Sequence, residues 1–423
     1  MNEVFAPAEL GPITLRNRVI KAATFEGRTP DALVTDDLIE FHRETAAGGV
    51  GMTTVAYCAV APGGRTDRHQ IWMRPEAVPG LRELTDAVHA EGAAASAQIG
   101  HAGPVANARS NGFPALAPSR MISPLTMRFM KVPDEAEIRE VIAAHANAAT
   151  LAEQAGFDAV EIHFGHNYLV SSFLSPRLNR RTDGYGGSTA NRARLAREIA
   201  WAVREAVGGR LAVIAKLNME DGVPGGLTVP ESLQVAASLE ADGTLDALEL
   251  TAGSSLLNPM LLFHGQAPRR EFANVLPLPA RWGFRLVGRA FLKEYPYQDG
   301  YLLERARHFR RELSMPLILL GGITNLHTMR QAMTEGFDFV AMARALLREP
   351  NLLHRIRSDA GTQSACVHCN ECMPTIYTRT RCVYRPDRTG APIPLTLSGT
   401  ETPMSSDQTA SGGGAVAGRA GGR

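Results

Sequence analysis

The chain has 423 residues, of which 44% are hydrophobic and 21% are charged, a composition typical of soluble globular proteins. Its 44 basic and 43 acidic side chains nearly cancel, so no basic field indicates nucleic acid or an anionic membrane as a partner. The N-terminal stretch has no apolar core of a signal peptide, and no run reaches the roughly 18 apolar residues of a membrane span. We therefore expect a cytoplasmic protein, and the composition leaves a homo-oligomer open.

Short apolar runs alternate with amphipathic stretches, which is typical of parallel βα proteins. The apolar runs predict eight strands, at 18–24, 49–59, 93–101, 158–163, 211–217, 247–251, 317–320 and 339–342. Helices are predicted at 35–47, 79–92, 135–155, 191–207, 230–241, 300–313 and 325–335. Eight alternating strands favour a single-domain α/β fold, the (β/α)8 or TIM barrel, over a doubly wound sheet with its usual five to seven or so strands.

The domain organisation follows from composition. Residues 1–360 are predicted to form the barrel, with two long insertions at 102–132 and 253–293 acting as a lid. A cysteine-rich segment covers 361–385. The stretch 386–423 is rich in Gly, Ser, Thr and Pro and poor in aromatics, so we expect a disordered tail. Its Gly412-x-Gly414-x-x-Ala417 pattern follows no strand and is not interpreted as a dinucleotide fingerprint.

Three polar side chains follow the fourth predicted strand. They are His163, His166 and Tyr168, at the carboxyl end of the strand, where barrel enzymes place their sites. Two other interpretations stay open from the residues alone. The histidines form a metal-binding pair, although no third ligand is evident nearby, or they merely cap the strand.

Five segments of the chain follow a recognisable pattern: FAPAELGPITLRNRVIKAAT at 5–24, EIHFGHNYLVSSFLSPRLNRRTDGYGGSTANRAR at 161–194, VIAKLN, LLGGI and FVAMARALLREPNL. In these segments the chain resembles the Old Yellow Enzyme family of FMN-dependent NAD(P)H:flavin oxidoreductases and ene-reductases. The resemblance covers nearly all of residues 3–385. It implies a barrel that binds FMN non-covalently at its carboxyl face, takes electrons from NAD(P)H and reduces a small-molecule substrate.

The resemblance assigns catalytic roles to the three polar side chains. His163 and His166 would hold the oxygen of a carbonyl conjugated to an alkene and stabilise the enolate that develops as hydride from flavin N5 reaches the β-carbon. Tyr168 would donate the proton to the α-carbon. Asn167 stands where the family commonly has Gly.

The resemblance also assigns the cofactor contacts. Gln98 and Lys216 would meet the flavin pyrimidine edge, where a positive charge stabilises the reduced anion. The other expected contacts are with the phosphate, from Gly321, Gly322, Ala343 and Arg344, and with the flavin beside the first strand, from Ala23, Thr24 and Phe25. Phe25 stands where relatives carry the residue that tunes the flavin potential. From the residues alone, Lys216 is also compatible with a structural ion pair, and the two glycines with a plain turn.

Four of the five cysteines lie close together, namely Cys366, Cys369, Cys372 and Cys382. Four thiolates suit an iron–sulfur cluster or zinc, and metal-free cysteines stay open as a third alternative. Larger relatives such as 2,4-dienoyl-CoA reductase, whose barrel domain this chain resembles, carry a [4Fe–4S] cluster at a similar place.

The sequence therefore predicts an enzyme that reduces an activated C=C bond at the expense of NAD(P)H. Two alternatives remain at this point. One is a flavin-dependent dehydrogenase or demethylase that oxidises an organic substrate. The other is a flavin-binding protein whose catalysis has degenerated, which the unusual Phe25 and Asn167 would suit.

Overall fold

The structure, a computed structural model, describes residues 2–123, 126–276 and 278–385, and the predicted disordered tail lies outside them. Its strands are β1 (Ala8–Leu10), β2 (Ile13–Leu15), β3 (Val19–Lys21), β4 (Met52–Ala59), β5 (Ala94–Gly100), β6 (Ala159–Phe164), β7 (Ala212–Asn218), β8 (Ala247–Thr251), β9 (Leu317–Leu320) and β10 (Phe339–Met342). The strands β3 to β10 correspond one for one to the eight predicted strands.

The described helices alternate with these strands or lie in the insertions between them. They are α1 (Asn2–Phe5), α2 (Asp36–Ala47), α3 (Val78–Ala90), α4 (Ala108–Asn111), α5 (Glu135–Gln154), α6 (Leu169–Leu174), α7 (Thr189–Val207), α8 (Val229–Asp242), α9 (Arg269–Val275), α10 (Leu278–Phe291), α11 (Leu303–Glu312), α12 (Leu326–Thr334), α13 (Arg344–Arg348) and α14 (Leu352–Ser358). Across the described ranges, no helix combines the length and the apolar character that spanning a membrane requires.

The eight strands close into a parallel barrel in the order β10-β3-β4-β5-β6-β7-β8-β9. The closure is the pairing of the last strand with the first, in which Val340 lies opposite Val19 and Met342 opposite Lys21. The prediction of a (β/α)8 barrel is thereby confirmed, and a doubly wound sheet, which has two free edges, is excluded.

An antiparallel hairpin, β1–β2, precedes the barrel and was not predicted from the sequence. Its side chains Ala8, Leu10 and Leu15 are buried in one cluster with the barrel residues Ile20 and Ile214. The hairpin therefore closes one end of the barrel interior, and the other end is left for a site.

Strand register places polar side chains at that other end. Side chains alternate between the two faces of a strand, so the apolar Ala212 and Ile214 of β7 point the same way as Lys216. On neighbouring strands, His163 and Glu249 lie directly opposite Lys216. The interior thus changes from apolar to polar and charged at the carboxyl ends of the strands.

The first insertion packs against this polar end. Ala106, Ala115 and Met130 form one buried cluster against which Tyr57 and Tyr168 pack. The second insertion contains α9 and α10 and forms a separate buried cluster that includes Phe284 and, from the cysteine-rich segment, Met373. The first insertion thus borders the polar end of the barrel, and the role of the two insertions as a lid stays a prediction.

Candidate active site

The three polar side chains predicted after the fourth strand meet at the end of β6. The ring of His163 lies 5.1 Å from that of His166 and 4.6 Å from that of Tyr168, measured between centroids. Gly100 and Gly165 leave room for the His163 side chain, because a Cβ at Gly100 would lie 3.1 Å from the Cβ of His163 and one at Gly165 would lie 3.2 Å from its ring atom Cε1. The Nδ1 atom of His163 is buried and has no hydrogen-bond partner within the described residues, so a polar atom of a ligand would satisfy it.

Thr251, at the end of β8, fixes the second histidine. Its Oγ1 lies 2.9 Å from Nε2 of His166. If the threonine hydroxyl donates to Nε2, the imidazole proton must sit on Nδ1, which is then the donor available to a ligand. The contact therefore fixes the orientation of the His166 ring, whichever of the two atoms is the donor.

Burial keeps both histidines neutral. Desolvation, aided by the charge of Lys216, lowers the pKa of His166 to about 3. Desolvation, with His166 and Lys216 as smaller causes, lowers the pKa of His163 well below its usual value. Each ring therefore offers one N–H donor and one acceptor at neutral pH, rather than a positive charge.

Lys216 is buried between two carboxylates that were not predicted from the sequence to belong to the site. Its Nζ lies 2.8 Å from Oε1 of Glu161 and 2.9 Å from Oε1 of Glu249. The amide of Gln98 donates to the same Glu161 oxygen at 2.5 Å. Glu161 thus holds together the two residues, Gln98 and Lys216, that were predicted to face the flavin.

Burial and the ion pairs shift the pKa values of Lys216 and Glu249. Burial opposes the charge of Lys216, but Glu161 and Glu249 outweigh it and raise the Lys216 pKa. Desolvation raises the pKa of Glu249, and Lys216 only partly offsets it. Burial thus favours the protonated, neutral form of Glu249 beside the Lys216–Glu161 ion pair.

The end of the first barrel strand is held by ion pairs and by the cysteine-rich segment. Glu26, one residue after Phe25, contacts Lys21 at 3.1 Å and accepts from the Ala56 amide at 2.9 Å. The backbone carbonyl of Phe25 accepts from the hydroxyl of Thr380. Phe25, Ala23 and Tyr168 pack on one cluster, so this strand end borders the histidine site. In the same strand end, the hydroxyl of Thr24 is buried without a partner among the described atoms.

The predicted phosphate contacts lie at the ends of β9 and β10. Gly321 and Gly322 have φ of +100° and +76°, and a Cβ at Gly322 would lie 2.6 Å from the backbone nitrogen of Gly300. These glycines are therefore required by backbone conformation and close packing, whatever they bind. Ala343 caps α13. The Arg344 guanidinium donates to the His264 carbonyl at 3.0 Å and contacts Asn370, so part of it is committed to the cysteine-rich segment.

The four predicted metal ligands line one cavity of about 390 Å³. The two arginines of α13, Arg344 and Arg348, line it as well, and Nη1 of Arg348 is buried without a partner within the described chain. Among the described residues, no three His, Cys, Asp or Glu side chains converge as a single metal ion would require. The cavity thus combines four thiols with positive charge but does not form a compact four-ligand site.

Four residues of the site were not predicted from the sequence, namely Glu161, Glu249, Thr251 and Tyr57. The first three lie inside apolar runs and read as ordinary strand positions. Their two-residue spacing from other inward-facing positions is a signal that could have identified them. Tyr57 packs edge-on against Tyr168 at 5.5 Å, and its hydroxyl donates to the Gly64 carbonyl at 2.6 Å, a contact that spacing does not predict.

Comparison with known proteins gives a family match and a near full-length relative. Residues 3–252 match the sequence profile of the NADH:flavin oxidoreductase / NADH oxidase family. The chain is 56% identical over 382 residues, 90% of this chain and 95% of the relative, to 4,4'-dithiodibutanoate disulfide reductase of Rhodococcus erythropolis. It is 34% identical to a metal reductase of Desulforamulus reducens, over 89% of this chain and 52% of that protein.

Solved structures give the same fold. The complex of 2-naphthoyl-CoA reductase with 2-naphthoyl-CoA superposes with a TM-score of 0.72 at 27% identity, covering 84% of this chain and 52% of that one. An old yellow enzyme homologue of Zymomonas mobilis superposes with a TM-score of 0.68 at 21% identity, over 86% and 95% of the two chains. This chain thus spans about half the length of 2-naphthoyl-CoA reductase and of the metal reductase.

Proposed function

Because the chain belongs to the NADH:flavin oxidoreductase / NADH oxidase family, we propose that it is an FMN-dependent enzyme that uses NAD(P)H to reduce a small organic acceptor. The observation that carries the proposal is the meeting of His163, His166 and Tyr168 at one barrel lip, beside the buried Lys216. When bound, FMN supplies two-electron hydride chemistry.

The residues at the barrel mouth fit this cofactor. Lys216 and Gln98 share Glu161 as an anchor, so both are held in place for the pyrimidine edge, where a positive charge favours the reduced flavin. Thr24 and Glu161 each have a buried oxygen without a partner among the described atoms, as expected for a site that a polar ring completes. Gly321, Gly322, Ala343 and Arg344 remain the proposed phosphate contacts, with Ala23 and Phe25 beside the flavin.

The chain's own residues can activate an acceptor and protonate the product. Two neutral imidazoles can donate N–H groups to a carbonyl oxygen and stabilise the negative charge that develops there, most strongly in a dry site. Tyr168 can then give its phenolic proton to the α-carbon. Phe25 and Tyr57 line the side of Tyr168 and limit the access of water. A carbonyl-conjugated alkene is therefore one acceptor class that we propose.

An organic disulfide is the second candidate acceptor, favoured by the 56% identity to a disulfide reductase over nearly its whole length. In this reaction one sulfur accepts the hydride and becomes a thiol, and the S–S bond breaks. The other sulfur leaves as a thiolate, which Tyr168 can protonate. The same side chains therefore serve both acceptor classes, and the choice between them lies with the residues that shape the pocket.

One experiment with two alternative acceptors tests the proposal. The flavin-loaded protein is reduced anaerobically with NADPH or NADH. It is then mixed with an enone or, separately, with the disulfide 4,4'-dithiodibutanoate, and the reoxidation of the flavin is followed by its absorbance. We expect bleaching by at least one nicotinamide and reoxidation by at least one acceptor. Tyr168→Phe should bleach normally but reoxidise about 100-fold more slowly or worse. The matched control Tyr185→Phe, which removes a hydroxyl bonded to Glu198 of α7 outside the site, should keep both rates.

Failure to bleach with either nucleotide contradicts the reductase proposal. Normal reoxidation of Tyr168→Phe would remove this residue from the mechanism and leave the rest of the proposal standing. Reoxidation by only one of the two acceptors identifies the substrate class.

We also propose that the cysteine-lined cavity holds an iron–sulfur cluster of the [4Fe–4S] type rather than zinc. Zinc needs four ligand atoms within about 2.3 Å of one point, and the described cysteines are not grouped in that way. A cluster is larger and bears negative charge with its four thiolates, which suits a cavity of about 390 Å³ with Arg344 and Arg348 in its wall.

Metal analysis tests this second proposal directly. Protein purified anaerobically should contain iron and acid-labile sulfide, and Cys372→Ser should lose both. Cys58→Ala is the matched control, because Cys58 is buried in the barrel core away from this cavity, and it should retain them. Stoichiometric zinc, or neither metal, would contradict the cluster.

A further inference from the structure

We propose that Asp221 is a positioning residue that holds the turn carrying His166 and Tyr168 in its working geometry. This inference rests on the proposed function, since it concerns the protein's reaction with an electron acceptor. Asp221 lies three residues after β7 and is fully buried. It touches none of the three polar side chains at the lip, and it acts through Asn167 and Asn218.

The turn needs an anchor because its backbone is strained. His166 and Asn167 have φ of +60° and +56°, two successive left-handed residues that carry side chains. Such conformations persist only where the surroundings impose them. Asn tolerates the left-handed region better than most residues, which explains how Asn167 replaces the Gly common at this position. Tyr168 follows directly, so any relaxation of this turn would move its phenol.

The two oxygens of Asp221 have different partners. Oδ1 accepts from the side-chain amides of Asn167 and Asn218, both at 3.1 Å. Asn218 in turn accepts from the backbone amide of His166 at 3.0 Å. One oxygen of Asp221 therefore restrains both residues of the strained turn.

The other oxygen is tied to the scaffold. Oδ2 accepts from the hydroxyl of Ser175 at 2.6 Å and from the backbone amide of Leu227 at 2.9 Å. Gly226 allows this close approach, since a Cβ there would lie 2.8 Å from the Cβ of Asp221. The carboxylate thus links the loop after β7 and the end of α6 to the turn after β6.

Only a carboxylate satisfies all four donors. In Asp221→Asn one oxygen becomes an NH₂ group, which would face either the two amide donors or the Ser175 and Leu227 donors. Asn218 cannot adapt by flipping, because its amide already donates to the Gly253 carbonyl at 2.6 Å and its oxygen accepts from His166. The isosteric substitution should therefore release the turn while keeping the size of the side chain.

The test compares half-reactions in a set of variants. Asp221→Asn should slow flavin reoxidation by the acceptor about 10-fold or more while bleaching by NADPH stays within about twofold, since the loss falls on the step that uses the turn. Ser175→Ala is the matched control. It removes a bond to the scaffold oxygen and should lower the melting temperature without a selective effect on reoxidation. The inference would be overturned if Asp221→Asn were reoxidised as fast as the wild type. It would also be overturned if Asp221→Asn and Ser175→Ala both lost bleaching and reoxidation to the same extent.

A double-mutant cycle tests whether Asp221 acts through Asn167. Gly adopts the left-handed conformation without an anchor, so Asp221→Asn should cost clearly less in an Asn167→Gly background than in the wild type. Additive effects would contradict this route. The ¹⁵N chemical shifts of the His166 imidazole give a readout independent of activity. They should change in Asp221→Asn and not in Ser175→Ala, and unchanged shifts would reject the inference even if the wild type reduced no acceptor.

Discussion

Replacing Lys216 with Met should make the stability of the protein depend strongly on pH. The substitution removes the ammonium that lies 2.8 Å from Glu161 and 2.9 Å from Glu249. Burial already favours the neutral form of Glu249 in the wild type. In the variant the fully buried Glu161 must therefore take up a proton or remain as an uncompensated charge. Breaking a buried pair by removing one partner typically costs about 3–5 kcal/mol.

The size of the pH effect follows from proton linkage. The folded-state pKa of a buried, unpaired carboxyl is raised, so its stability contribution is present below the unfolded pKa and is lost as the pH rises. The ordinary pKa of glutamate lies about 3.5 units below pH 8. At about 1.4 kcal/mol per unit, the unfolding free energy that one buried carboxyl can cost at pH 8 has an upper bound near 5 kcal/mol. At pH 5 the same calculation gives a cost of less than about 1 kcal/mol for that carboxyl.

Urea denaturation at pH 5 and pH 8 measures the effect. We expect the variant to lose about 3–5 kcal/mol of unfolding free energy relative to wild type at pH 8 and to recover roughly half of it or more at pH 5. Adding Glu161→Gln should reduce this pH dependence, because it removes the buried carboxyl that loses its ion-pair partner. A loss of equal size at the two pH values would refute the reasoning, since it would mean that the cost is one of packing rather than of charge.

Three further predictions concern the histidine site. Thr251→Val should slow acceptor reduction about 10-fold without slowing bleaching by NADPH, because the His166 ring loses the contact that holds it in place. Equal acceptor rates of the variant and the wild type in stopped-flow measurements would remove this role. The free energy of unfolding of Asn167→Ala should be about 1 kcal/mol lower than that of the wild type, because Ala disfavours positive φ, whereas that of Asn167→Gly should be close to the wild-type value. Urea denaturation measures both, and equal stability of the Ala and Gly variants would contradict the proposed backbone strain. Because burial keeps His163 and His166 neutral, the rate of acceptor reduction should show no titration between about pH 5 and 8, and a step with a midpoint near 6.5 would contradict their assigned state.

Much of the barrel could be predicted because its strands are buried on both faces and read as continuous apolar runs. The strands Ala247–Thr251, Leu317–Leu320 and Phe339–Met342 coincide with the predicted ranges. The cluster after β6 was found for the same reason, since polar side chains end an apolar run abruptly there. The β1–β2 hairpin escaped prediction because its three-residue strands are too short for a periodic signal.

The partners within the site could not be predicted because they depend on register between strands distant in sequence. The ion pair of Lys216 with Glu249 joins β7 to β8, and Thr251 reaches His166 across 85 residues of sequence. The second contact of Arg344 illustrates the same limit, because Asn370 comes from a segment that wraps back over the barrel. A sequence alone indicates which residue types end a strand, and the closed sheet decides which of them meet.

Anaerobic titration of the purified, flavin-loaded protein with NADPH and NADH tests the central proposal most directly. We expect the visible flavin absorbance to bleach with one equivalent of at least one nucleotide and to return when an enone or an organic disulfide is added. Flavin that remains oxidised with both nucleotides, in protein that is folded and loaded, would contradict the proposal that this barrel is an NAD(P)H-dependent reductase.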